Sequence, residues 1–71
     1  MDTKKKFSDN LKTLRKERGW SQQDLAVRVR CSQQCISQWE NMQIEPTLSS
    51  LWILSEVFEI SVDELIGKVD F

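Results

Sequence analysis

The stretch Ser21–Glu40, SQQDLAVRVRCSQQCISQWE, decides the reading of this chain. It contains two helix starts. Ser21 followed three residues later by Asp24 makes a capping-box-like opening, and Ser32 offers a second N-cap. Leu25, Ala26, Val29, Cys31, Ile36 and Trp39 recur at helical spacing across both segments, which predicts helices over about 21–29 and 32–41. The second helix opens on Gln33 and Gln34, with Ser37 and Gln38 one turn on. An apolar pair of helices that holds amides and hydroxyls outward has the layout for reading base edges in a DNA major groove.

Outward from this stretch, every segment reads as helix. A first helix is expected from about Ser8 to Arg18, with Phe7, Leu11 and Leu14 on its inner stripe and Gly19 ending it. Trp20, just before the Ser21 cap, is placed to pack on Leu25. After the polar connector Met42–Glu45 and Pro46, Thr47 caps a fourth helix with Leu48, Leu51, Leu54, Ser55 and Phe58 on one face. Ser61 and Glu64 form another capping box, opening a short fifth helix with Val62, Leu65 and Ile66, which Gly67 closes.

The 71 residues make one small all-α domain. Its core is expected over 7–67, between a short basic N-terminal tail, 1–6, and a short C-terminal tail, 68–71. Alternating β-branched runs are absent, and so are a membrane-length apolar stretch and a signal-peptide pattern, so a cytoplasmic protein is expected. The two cysteines are then expected to be reduced thiols. Cys31 reads as a small core residue and Cys35 as a structural or thymine-methyl-contacting one. No His is present, and two cysteines supply too few ligands for a structural metal site. No cofactor, small-molecule ligand or enzymatic constellation is expected.

Net charge is −1, but its distribution is uneven. Residues 1–18 carry seven Lys/Arg against three Asp/Glu, whereas residues 32–71 carry Lys68 alone against seven acids. A basic side can therefore face phosphate while an acidic side faces away.

From Phe7 to Gly67 the chain resembles the lambda-type repressor/Cro helix-turn-helix family, in the stretches LKTLRKERGWSQQDLA, SQQCISQWEN and PTLSSLWILSEVFEISVDELIG. The resemblance implies a compact five-helix DNA-binding domain that regulates transcription as a homodimer on a two-fold symmetric, double-stranded operator. It implies base reading by Gln33, Gln34 and Gln38, with Ser37 beside them. It implies phosphate contacts from Ser21, Gln22, Ser32 and Asn41, and an internal ion pair between Arg15 and Glu40. Gln suits adenine because it presents a donor and an acceptor together.

The sequence departs from the family in two ways. Arg30, Met42 and Glu59 stand where Gly is usual, so left-handed backbone there would cost on the order of 1 kcal/mol each. Asn41 is an alternative left-handed residue to Met42. The loop Met42–Glu45 also lacks the usual phosphate-binding cations, leaving Arg28, Arg30 or Lys4–Lys6 to compensate. Trp52, Ile53, Val57, Leu65, Val69 and Phe71 are expected to form an exposed apolar patch suited to self-association. The alternative function is a protein-interaction module or antitoxin-like partner on the same fold, with weak DNA binding.

Overall fold

The computed structural model describes residues 3–68. Among them the chain is all-α: α1 (Thr3–Glu17), α2 (Gln22–Val29), α3 (Gln33–Glu40), α4 (Leu48–Phe58) and α5 (Val62–Leu65). Each expected cap forms. Ser21 and Asp24 exchange hydrogen bonds reciprocally, as do Ser61 and Glu64. Ser32 accepts from the Cys35 amide and Thr47 from the Ser50 amide. These local bonds satisfy helix-end donors that would otherwise need water.

α1 begins at Thr3, earlier than the sequence indicates, and takes in residues 3–6 of the expected tail. Two contacts account for this. Lys5 pairs with Asp9 one turn on at 2.9 Å. Ser8 is buried, and its hydroxyl donates to the Trp39 carbonyl, so it is an interior anchor between α1 and α3. Val69 and Phe71 lie outside the described residues.

One apolar cluster joins all five helices: Phe7, Leu11 and Leu14; Leu25, Ala26 and Val29; Ile36 and Trp39; Leu54 and Phe58; and Leu65. Phe7 meets Trp39 edge to face, with ring centroids 6.3 Å apart. α1 and the turn that follows it also clamp the ends of distant helices. Asn10 donates to the Glu64 and Leu65 carbonyls at 3.2 and 3.1 Å, and Arg18 to the Phe58 carbonyl at 2.9 Å. Among the described residues, every buried side-chain polar atom has a partner.

Two apolar expectations are corrected. Leu65 is fully buried, because α1 and α4 both pack on α5, so it belongs to the core and not to an exposed patch. Leu48 is 85% exposed, because it is the first residue of α4 and the apolar packing of that helix starts a turn later, at Leu51. Trp52, one turn beyond Leu48, is 65% exposed, while Ile53 and Val57 are half-buried against the core.

Candidate nucleic-acid interface

α2 and α3 are joined by a tight turn through Arg30, whose φ of 60° and ψ of 45° are left-handed. The backbone is also left-handed at Met42 (φ 61°) and Glu59 (φ 57°). All three departures from Gly therefore keep the conformation that Gly would ease. Asn41 does not take that role, since its φ is −97°.

Helical spacing puts Gln33, Gln34, Ser37, Gln38 and Asn41 on one stripe of α3, opposite Ile36 and Trp39. Gln33 and Gln34 are exposed, and Ser37 and Gln38 half-buried. Asn41 donates to the Ser37 hydroxyl at 3.3 Å, which links the far end of the stripe.

Behind this stripe runs a polar chain. Arg15 of α1 forks onto Glu40, Nε to Oε2 at 2.6 Å and Nη2 to Oε1 at 3.1 Å, while its Nη1 donates to the Trp20 carbonyl at 2.8 Å. Glu40 is only 4% exposed. The Gln22 amide donates to Glu40 Oε1 at 3.1 Å, and its oxygen accepts from Gln33 Nε2 at 3.5 Å. A carboxylate beside Arg can only accept, so Gln22 must turn its NH₂ inward and its oxygen outward. That oxygen takes one N–H of Gln33. The Gln33 carbonyl and its second N–H are left for a ligand, a side-by-side acceptor and donor of the kind that matches adenine N6 and N7.

The Ser32 hydroxyl accepts one cap bond, from Cys35 N at 3.1 Å, which leaves its O–H as a donor at an exposed helix start, whereas the Ser21 hydroxyl accepts from Asp24 N at 3.0 Å and turns its O–H to the Asp24 carboxylate. The Ser21 backbone N–H, then the Ser21 side chain, hold the Asp24 carboxyl below the usual carboxylate range. A full negative charge therefore stands at the start of α2.

Arg28 and Arg30 are not gathered with the glutamines. They line a hollow of about 380 Å³ with Ile53, Glu56 and Val57 of α4. The Arg28 guanidinium lies 4.2 Å from the centroid of the Trp20 ring, which itself packs 5.6 Å from Phe58, and Nη1 donates to the Asp24 carbonyl at 3.0 Å. Cys31, expected in the core, is half-buried, as is Cys35.

Sequence reasoning missed the Gln22–Gln33 contact, which joins residues eleven apart across a turn. The only sequence signal is that each glutamine follows directly on a Ser cap. It also missed the Asn10 and Arg18 clamps, whose acceptors are backbone carbonyls and leave no mark in residue type.

These features define a helix-turn-helix domain, and the comparisons agree. The helix-turn-helix family model matches residues 11–65, and the chain belongs to this family, of the lambda-repressor type. It is 33% identical over 70 residues to the HTH-type transcriptional regulator y4dJ of Sinorhizobium fredii, spanning 99% of this chain and 91% of that protein. It is also 33% identical over 61 residues to the HTH-type transcriptional activator BcrR of Enterococcus faecalis, spanning 86% of this chain but 30% of BcrR. No solved structure matches. Among the described residues, no helix is long and apolar enough to cross a membrane.

Proposed function

We propose that this chain is a sequence-specific regulator of transcription that acts in the cytoplasm, binding double-stranded DNA as a homodimer and presenting α3 to the major groove. The observation that carries the reading is the run Arg15–Glu40–Gln22–Gln33, which biases the amide at the start of an exposed polar stripe toward one orientation through a long final link of 3.5 Å. Gln33 and Gln34 read bases, with Ser37 and Gln38 beside them. Ser21, Ser32 and Asn41 position α3 on phosphate, and Gln22 acts chiefly by orienting Gln33.

The dimer is supported by Leu48 and Trp52, two large apolar side chains one turn apart on the outer surface of α4. Repression is the simplest output of a small operator-binding dimer, whereas BcrR carries the name of an activator. The position of the operator relative to the promoter sets the sign.

Selection of bound fragments from a random DNA pool tests the proposal. A palindromic consensus with half-sites one helical turn apart is expected, and an unenriched pool refutes it. One set of observations favours the second reading, a protein-interaction module. The Met42–Glu45 loop has no cation, the C-terminal half is acidic, and Asp24 stands at the start of α2. Salt dependence separates the two. DNA binding through several phosphates falls steeply with salt, and an affinity for DNA that is weak and uniform across fragments supports the module.

A further inference from the structure

Two thiols stand at the start of α3, and the base and phosphate contacts proposed above do not include them. Cys31 closes the turn from α2, and Cys35 is the third residue of α3. Both are free, half-buried and packed against the edge of the core. Ser32 lies between them. Its hydroxyl accepts from the Cys35 amide at 3.1 Å, and its carbonyl takes the Cys31 S–H at 3.6 Å. The sulfurs are neighbours. Burial first, and then hydrogen bonding and charge from Cys35, push the Cys31 thiol up to about 11.

We propose that Cys31 and Cys35 are a redox-active pair whose intramolecular disulfide reshapes the start of α3 and so switches off the face that presents Gln33 and Gln34. The ring that closes contains Ser32, Gln33 and Gln34, which are the cap and both exposed glutamines of α3. A disulfide needs β-carbons about 3.5–4.5 Å apart. Cys31 lies before the helix, and the extended Ser32 cap (φ −87°, ψ 159°) sets how the two side chains approach. Closure therefore acts on the turn around Ser32, and the cap bond to the Cys35 amide lies inside the segment that the ring encloses.

The co-reactant is a low-molecular-weight disulfide such as oxidised glutathione. The Cys35 thiolate attacks one of its sulfurs, the external S–S bond breaks, and one small thiolate leaves. The Cys31 thiol then loses its proton and attacks the Cys35 sulfur of the mixed disulfide, expelling the second small thiolate. Two protein thiols are oxidised, one external disulfide is reduced to two thiols, and those take up the two protons. Because Cys31 holds its proton well above neutral pH, ring closure is slow near pH 7 and accelerates as pH rises.

The disulfide itself stands apart from the DNA reading, and only its effect on operator binding rests on it. The full chain is equilibrated in glutathione buffers of stepped redox ratio. It is then trapped with an alkylating agent, weighed intact, and followed by amide hydrogen exchange. The expected product is lighter by two hydrogens, resists alkylation at both cysteines and reverts with a dithiol. Its amides at 33–35 exchange about five-fold faster, the fold-change of losing one N-cap. Cys31→Ala is expected to stop at the Cys35–glutathione adduct. A stable adduct in the wild type, a disulfide only between chains, or a closed ring with unchanged exchange in α3 each overturns the proposal. These readouts decide it even if no DNA is bound. If DNA is bound, gel shifts must weaken in the oxidised chain and not in Cys31→Ala/Cys35→Ala.

Discussion

Arg30→Gly isolates the backbone strain in the turn that aims α3. Arg30 sits at φ 60° and ψ 45°. A residue with a β-carbon pays about 1–2 kcal/mol in that region, and Gly almost nothing. Against this, Gly loses more freedom on folding, about 0.5–1 kcal/mol relative to Ala. The net gain is about 0.5–1 kcal/mol, a rise in Tm of about 2–8 °C for a domain of this size. Arg30→Ala is the control, because it removes the guanidinium from the hollow beside Glu56 yet keeps the β-carbon and its strain. Thermal unfolding followed by circular dichroism should place Arg30→Gly above Arg30→Ala by the full backbone difference. Gly19→Ala runs the experiment backwards. At φ +71° a β-carbon there meets nothing within 4 Å, so the loss is conformational only and should match the gain in size. The reasoning fails if Arg30→Gly is no more stable than Arg30→Ala.

Glu40→Ala removes the partner of Arg15 and the anchor of Gln22, and is expected to cost about 3–5 kcal/mol in urea unfolding. Gln33→Ala should lower affinity by about 1–3 kcal/mol at one base position of the selected operator, where uniform weakening across operator variants would reject direct readout. Asp24 titrates low in the folded chain because the Ser21 N–H binds its charged form, so the stability it adds is complete above the ordinary value of 3.8 and is lost as pH falls through the lowered one. Asp24→Asn should flatten that acid limb, which melting curves at stepped acidic pH will check. Trp52→Glu should shift sedimentation toward monomer with the melting curve little changed, and an unaltered association state would remove α4 from the dimer surface.

What was legible in the sequence was local. Ser21–Asp24 and Ser61–Glu64 act over three residues, so spacing alone revealed them. The heptad-like positions of Phe7, Leu11 and Leu14 revealed the buried side of α1 in the same way. The errors arose where the answer depended on another helix. Periodicity tells which side of a helix is apolar but not where its neighbour ends, and so it points Leu48 inward and Leu65 outward. The start of α1 carries no signal in the sequence, because nothing near Lys4–Lys6 resembles a cap. What anchors that helix is a bond from Ser8 to Trp39, thirty-one residues away.

The base-reading stripe was legible as residue types, but its chemistry was not, because an exposed Gln can turn either end of its amide outward. That ambiguity is removed from behind. The Arg15 guanidinium can only donate, so both Glu40 oxygens it meets accept, and the order of donor and acceptor propagates through Gln22 to Gln33. The 3.5 Å final link is the weakest, which places the greatest freedom at the residue that must meet the ligand. Stability and orientation thus diverge along one polar run. The Arg15–Glu40 end holds α1 to α3, and the Gln22–Gln33 end contributes little to folding while deciding which hydrogen-bonding pattern is offered outward.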